Sequence, residues 1–363
     1  MPIYMDLHIV PGVNPKEVAE AHSRDVYLEK DHNCKCLTYW VDELRGHVFC
    51  LIEAPSRETV YELHNRSHGL LPHKIIEVQP SLVQAFLGRI TDPDSGQFTD
   101  TGHLVVDDTS YRMIMSVQLP DPVLVQQRAG TAAAAQLLQA QNELIRNEIA
   151  AHDGREALQE TDRIIGSFIT AGKAVAAALA IQQKLQVTST DQYHISIQAG
   201  DPVAQHDKLF GETLQLLQRM SFLNHKTQIS ITAGVKELIA KELLHKTHNN
   251  LFALSADDEK LLNALFDILE EKYTDTELQV NDYARSLAMS ESQFYRKTTA
   301  LTGYSPNELV KEFRLAKAKE LLQKGSGTIT EISYSCGFST PSYFTKCFRK
   351  KFGLVPLDYL QSA

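Results

Sequence analysis

The sequence predicts a multidomain α+β protein, and three observations predict it. At 363 residues the chain exceeds one ordinary hydrophobic core. Its texture changes twice: alternating strands and helices to about residue 90, a mixed α/β stretch over 97–250, and an almost purely helical end over 257–363. Its composition, 43% hydrophobic and 22% charged, is that of a globular protein, and no window holds the roughly 18 uninterrupted apolar residues of a membrane span.

The first stretch reads as strand (Ile3 to Val10), helix (Pro15 to Lys30), hairpin (Lys35 to Asp42, then His47 to Glu53, around Leu44-Arg45-Gly46), helix (Arg57 to Ser67) and strand (Lys74 to Val78). This βαββαβ order predicts a ferredoxin-like domain over 1–90. Asn14 before Pro15 is a sound helix start. The middle stretch reads as a strand (Tyr111 to Val117), a long helix (Ala132 to His152), an Ala-rich helix (Ala171 to Leu185), a strand (Tyr193 to Ala199), a helix (Leu209 to Leu223) and a strand near Gln228 to Thr232.

The helical end contains two similar patterns. In the first, Val280 to Lys297, Tyr283, Ala284, Leu287 and Phe294 form an apolar seam and Ser290 is placed to cap a second helix. In the second, Ile329 to Lys346, Gly337 supplies the turn, Pro341 suits the first helical turn, and Phe344, Phe348 and Phe352 face inward. A helix from about Pro306 to Leu322 joins them. At roughly 25 Å it can hold two recognition helices near the ~34 Å spacing of successive major grooves. Charge agrees with a nucleic-acid role. Formal net charge is −9, yet Arg285 to Gly353 carries 12 Lys and Arg against 5 Asp and Glu. Neutralising phosphates requires such a local excess.

Ile329 to Tyr359, with Cys336-Gly337-Phe338, Ser342-Tyr343-Phe344, Phe348-Arg349-Lys350, Phe352-Gly353 and Pro356, resembles the AraC/XylS family of transcription regulators, and the resemblance runs from about Asp258 to the end. It implies double-stranded DNA as partner and an all-α double helix-turn-helix domain. By position, Ser292, Tyr295 and Arg296 of the first unit, and Ser342, Thr345 and Lys346 of the second, match exposed recognition positions. Lys297, Arg349 and Lys350 are the basic residues that close the units. Arg296 can pair bidentately with guanine. Ser333, Ser335 and Pro341 depart from the family pattern.

Half of the 14 histidines fall in the first fifth of the chain. Asp6 and His8 alternate with Met5, Leu7 and Ile9, so they share a sheet face; His22 and Asp25, and His64 and His68, each share a helical face. Such spacing suits metal ligation, imidazole favours nickel, zinc or copper, and Cys50 can add a thiolate. The segments Met5-Asp6-x-His8-x-x-Pro11-Gly12, Tyr39-Trp40-x-Asp42-Glu43, Phe49-Cys50-Leu51-x-Glu53-Ala54-Pro55 and His64-x-x-x-His68-Gly69-Leu70 resemble a family of small ferredoxin-like nickel-binding proteins. The resemblance implies dimerisation through the sheet and a nickel ion. The candidate ligands are His8, His22, His64 and His68, then Asp6, Cys50 and Glu53. Cys34 and Cys36 are expected to be structural, and all five cysteines free thiols or metal ligands rather than disulfides.

In the middle stretch, Asn147-Glu148-Ile149, Gly154-Arg155-Glu156, Thr161-Asp162-Arg163, Phe168, Ala174 to Gln182, Ile195 to Pro202, Leu209-Phe210-Gly211 and Arg219 follow the order of class III adenylyl cyclases. Two-metal phosphoryl chemistry needs paired carboxylates. Only Asp162 aligns with one. The expected first aspartate falls near Ser116 or Val117, and Gln215 replaces a ribose-orienting Asn. The resemblance therefore implies a degenerate, cyclase-like sensory or dimerisation domain without enzymatic activity. The N-terminus lacks a basic segment followed by an apolar one, so a cytoplasmic protein with no membrane partner is expected. Together these readings predict a homodimeric regulator that senses a metal ion, nickel first, or a small-molecule effector. Alternatives are a metal buffer with a DNA tether, and a nucleotidyl cyclase.

Overall fold

The computed structural model describes residues 1–188, 193–224, 229–277 and 279–362. Its first unit is β1 (Ile3–Ile9), α1 (Pro15–Leu28), β2 (Lys35–Asp42), β3 (His47–Glu53), α2 (Arg57–Ser67) and β4 (Lys74–Val78). These form an antiparallel sheet of order β2-β3-β1-β4. Asn14 caps α1, its Oδ1 accepting the Glu17 N–H at 3.0 Å. Strand alternation divides the side chains. Tyr4, Tyr39, Val48 and Ile52 pack under α1 and α2, whereas Met5, Leu7, Trp40, Phe49 and Leu51 face the opposite way.

That opposite face is covered from within the chain. Val83, Phe86 and Leu87 of α3 (Pro80–Leu87) lie in the same core as Trp40 and Phe49, together with Val203, Leu209 and Phe210 from farther along. Trp40, Phe49 and Leu51 are wholly buried. The sheet surface through which dimerisation was expected is thus occupied by the chain itself, because the apolar side chains that would close a dimer find an intramolecular cover. A short ribbon of β5 (Gln97–Phe98) and β6 (Leu104–Val105) follows. The Tyr39 hydroxyl donates to the Leu104 carbonyl at 3.1 Å and accepts the Val106 N–H at 2.9 Å.

The second sheet is built from β7 (Arg112–Gln118), α4 (Pro122–Ala129), α5 (Thr131–Ala151), β8 (Arg155–Gln159), β9 (Arg163–Phe168), α6 (Ala171–Thr188), β10 (His194–Gly200), α7 (Gly211–Met220), β11 (Ile229–Ile231), α8 (Ala233–Leu238), α9 (Lys241–Thr247) and β12 (Leu251–Ala253). Its order is β12-β11-β10-β7-β9-β8. The segment β8-β9-β7-β10 repeats the connectivity of the first sheet, and β11 and β12 extend it in parallel. Such a repeat of topology without repeat of sequence was not visible in the residues. One face packs on α5, α6 and α8 through Met113, Met115, Ile145, Val175 and Val235. The other places Ile114 and Ile165 in the core that also holds Leu217 and Met220 of α7.

The C-terminal part is wholly helical among the described residues: α10 (Ala256–Lys272), α11 (Val280–Ser286), α12 (Glu291–Thr302), α13 (Pro306–Gln323), α14 (Ile329–Ser335), α15 (Pro341–Phe352) and α16 (Pro356–Ser362). Phe294, Leu309 and Phe313 of the first half join the core that runs back through α7 to the first sheet. Phe344, Phe348 and Tyr359 centre a separate core in the second half, and Phe352 is half-buried against it. No helix among the described residues is long and apolar enough to cross a membrane.

Candidate functional site

The donor groups of the first unit converge on the helix-facing side of its sheet. Asp6 and His8 lie two apart on β1, and the β1–β3 register sets Cys50 directly opposite Asp6. The Cys50 N–H donates to Asp6 Oδ1 at 3.0 Å. α2 lays His64 over them, with Nε2 2.8 Å from Asp6 Oδ2, and α1 brings Asp25 to the other side of the ring, Oδ1 3.4 Å from His64 Nδ1. Donor atoms of Asp6, His8, Cys50 and His64 all lie within 4.8 Å of one another, and so do those of Asp25, His64 and His68. His64 belongs to both sets.

This cluster is buried, with Asp6 1%, His64 0%, Asp25 2% and His8 4% exposed. Burial alone would push both carboxyls up, but the neighbouring imidazoles outweigh it. His8 and His64 hold Asp6, and His64 and His68 hold Asp25, well below the usual carboxylate range. For His64, burial opposes the charge, yet Asp6 and Asp25 raise it to about 10. Burial, with Asp6 and Asp25 adding, drives the Cys50 thiol far up. Ser67 Oγ donates to Asp25. The Leu70 N–H donates to His68 Nδ1 at 3.1 Å, which turns His68 Nε2 toward Asp25 Oδ1, 3.4 Å away.

A divalent transition-metal ion fits this donor set. His8 Nε2 is buried without a hydrogen-bond partner, 3.3 Å from Asp6 Oδ1. Imidazole nitrogen, carboxylate oxygen and a thiol within one ligand sphere are the donors a borderline divalent ion selects. His8, His64, Asp6 and Cys50 would hold it, with Asp25 and His68 beyond. A cavity of about 70 Å³ bordered by His8, His22, Asp25, Cys50 and His68 adjoins the donors. His22 stands at its rim, with Nε2 3.3 Å from Asp92 Oδ2 and its ring 4.9 Å from that of Tyr39. Glu53 lies outside the cluster, its Oε1 3.2 Å from the N-terminal ammonium. Asp25, which shares a face of α1 with His22 but is not among the candidate ligands, joins His64 and His68, whereas His22 faces Asp92. All five cysteines are free, and Cys34 and Cys36 sit buried in the helix-facing core.

The second candidate surface lies on α12 and α15. Ser290 caps α12, accepting the Gln293 N–H at 3.3 Å, and Thr340 caps α15, accepting the Tyr343 N–H at 3.2 Å. The turns before them are tight: Gly337 has φ +77°, and Ala288, at the matching position, φ +51°. Ser292, Tyr295, Arg296 and Lys297 are exposed on α12, as are Ser342, Lys346, Arg349 and Lys350 on α15. Thr345 is half-buried, and its hydroxyl donates to the Pro341 carbonyl at 2.9 Å, so it is spent within the helix. Ser333 and Ser335 are accommodated likewise, donating to the carbonyls of Thr330 and Ile332. Arg296, Lys297, Lys346, Arg349 and Lys350 make no ion pair among the described residues, whereas Lys317, Lys319 and Lys351 are paired within the protein.

Comparison with known proteins separates the two ends of the chain. Residues 283–362 match a helix-turn-helix domain family, and residues 4–78 match the family described as nickel responsive protein SCO4226-like. The C-terminal domain is AraC-type, and the N-terminal domain is SCO4226-like. Over 147 residues this chain is 29% identical to the HTH-type transcriptional activator RhaS of Escherichia coli, covering 40% of this chain and 52% of RhaS. A histidine kinase of Formosa agariphila is 38% identical over 106 residues, 29% of this chain and 8% of the kinase. This chain therefore spans about half of one curated relative and under a tenth of the other. The solved structure of SCO4226 from Streptomyces coelicolor is 35% identical over 21% of this chain and 94% of that one, with a TM-score of 0.20.

Neither matched family reaches the middle sheet. There Asp162, in the β8–β9 turn, is bound by Lys319 of the AraC-type domain, whose Nζ lies 3.0 Å from both Asp162 Oδ2 and Asp121 Oδ2. Asp121, rather than Ser116 or Val117, is thus the carboxylate that faces Asp162. Its signal in the sequence was that of a helix cap before Pro122, which it also is. Arg219 is buried against Asn263, Asp267 and Glu270 of α10. Asp162 and Arg219, which the sequence aligns with cyclase positions, therefore make contacts with the helical C-terminal part.

Proposed function

We propose that this protein is a sequence-specific DNA-binding transcription regulator whose N-terminal domain binds a divalent transition metal, with nickel the leading candidate, and whose DNA affinity responds to that metal. The reading rests on one observation: a buried cluster of imidazoles, carboxylates and a thiol sits in the same chain as an AraC-type domain whose recognition-helix cations are unpaired and exposed. The strand order of both sheets supports reading 1–90 and 97–250 as ferredoxin-like units, the second a degenerate cyclase-like domain that mediates between the other two. Ser292, Tyr295, Arg296, Ser342 and Lys346 are assigned to base edges, and Lys297, Arg349 and Lys350 to phosphates.

The test begins by selecting a preferred duplex from a random pool with the full chain. Affinity for that duplex is then measured with nickel, zinc or no metal. A nickel-dependent change in dissociation constant supports the reading. Equal affinity in all three conditions refutes metal response while leaving DNA recognition intact, and failure to enrich any duplex refutes DNA reading.

A further inference from the structure

The two candidate sites are joined by one element, α7, whose two ends are fastened differently. Its entry is held by the metal-binding domain. His47 lies three residues from Cys50 on β3, and its Nδ1 is 3.1 Å from Asp201 Oδ2. Lys74, opposite Leu7 on β4, places Nζ 2.9 Å from Asp207 Oδ1 and also donates to the Gln205 carbonyl. Phe210, the residue before α7, stacks 4.9 Å from Phe86 and adopts φ +52°, a conformation that bulky side chains rarely take. Such residues persist only where their surroundings over-determine them, and they cluster at switches.

The exit of α7 is held by α10, which leads into the first helix-turn-helix unit, and by the end of α12. Arg219 Nη1 donates to the Asn263 carbonyl at 3.2 Å and to Asn263 Oδ1 at 2.8 Å; Nη2 reaches Asp267 Oδ1 at 2.5 Å and Glu270 Oε2 at 3.2 Å. Just beyond, the Asn224 N–H donates to the carbonyl of Thr302, the last residue of α12, at 2.8 Å. The second unit is held elsewhere, by Asp121 and Asp162 on Lys319 and by Asp121 on the Tyr359 hydroxyl at 2.7 Å. A shift of α7 against its sheet therefore moves α12 and the start of α13, which share its core, while Lys319 at the far end of α13 and Tyr359 of α16 stay anchored, which changes how the two recognition helices are disposed.

We propose that α7 is the coupling element through which metal occupancy alters DNA reading, acting on the first helix-turn-helix unit. This rests on the metal-responsive reading above. Coupling is a difference in metal affinity between the two dispositions of the reader, so removing either fastening of α7 should erase it without removing either binding event.

The experiment uses the full chain, Ni²⁺ and the selected duplex, and compares wild type with Asp201→Asn, at the entry, and Asp267→Asn, an exposed carboxylate at the exit. Asp257→Asn, on the same helix as Asp267, exposed and paired with Lys260, is the control. Calorimetry reads Ni²⁺ binding, and fluorescence anisotropy reads duplex binding with and without Ni²⁺. In wild type and control, Ni²⁺ is expected to change duplex affinity about 5- to 150-fold, the range of ordinary allosteric coupling. In both α7 variants, Ni²⁺ affinity should stay within about 2-fold of wild type while the nickel effect on DNA shrinks below about 2-fold. Variants that retain the wild-type nickel effect overturn the role of α7 and leave metal response standing. A wild type indifferent to Ni²⁺ overturns both.

Discussion

His64 Nε2 lies 2.8 Å from Asp6 Oδ2, both side chains essentially without solvent contact. With Asp25 on the far side of the ring, the imidazole is raised to about 10 and is the charged imidazolium at neutral pH, so a proton occupies the nitrogen a metal ion would take. Metal binding must displace it. Nickel affinity is therefore expected to rise with pH between about 6 and 8, by up to tenfold per unit for each proton released. Calorimetry in buffers of different ionisation enthalpy counts those protons. An affinity flat across this window would show that His64 is not a ligand.

Much of the molecule was legible in its residues, for identifiable reasons. The first sheet was read almost to the residue because its strands alternate cleanly, Asp6 and His8 inward against Met5 and Leu7, and because Asn14-Pro15 marks a helix start. The hairpin of β8 and β9 was missed as strands. β8 is an edge strand with a bulge between Glu156 and Leu158, so its alternation is broken. The donor cluster was only half legible. His64 and His68 announced themselves by spacing, but nothing along the chain told that Asp25 would turn to His64 while His22 turned to Asp92. The contacts of Lys319 and Arg219 join residues far apart in sequence and carry no local pattern at all.

Arg296 is exposed on α12 without an intramolecular ion pair, as a base-reading arginine must be. Arg296→Ala is expected to cost roughly 1 to 3 kcal/mol on the selected duplex and to relax preference at one base pair, because a bidentate guanine contact is lost. Lys350→Ala should instead weaken all duplexes alike and reduce the salt dependence by about one counterion. Binding measured on a panel of single-base variants at two salt concentrations separates the two. Uniform weakening by Arg296→Ala would assign that side chain to phosphate.

The left-handed positions in the turns of the two helix-turn-helix units differ by one Cβ. Gly337 holds φ +77°, and a Cβ there would lie 2.2 Å from the Tyr273 carbonyl oxygen; Ala288 holds φ +51° with a Cβ in place. Ala288→Gly should stabilise the C-terminal domain by up to about 1 kcal/mol, since relief of the left-handed conformation slightly exceeds the added chain entropy. Gly337→Ala should destabilise it by at least about 2 kcal/mol, from the same conformational penalty plus the clash with backbone. Denaturant unfolding of the full chain, followed by far-UV circular dichroism, measures both signs, and equal effects at the two positions would contradict the geometry.

Lys319 fastens the second unit through two carboxylates, and only a fifth or less of each of the three side chains is exposed. Its charged form is favoured by Asp162 and Asp121 over the cost of burial, so the ammonium stays in place throughout the neutral range. Lys319→Met keeps the stem that packs at the seam but leaves Asp121 and Asp162 facing each other without a cation. The expected loss is about 2 to 4 kcal/mol, at the lower end of buried-pair disruptions because water reaches part of the group. Adding Asp121→Asn and Asp162→Asn to Lys319→Met removes the stranded charges and should recover most of that loss, since an amide can still accept from the Tyr359 hydroxyl. Unfolding free energies of the wild type, the single and the triple variant decide it: a triple variant no more stable than the single one would show that Lys319 acts through packing rather than through charge.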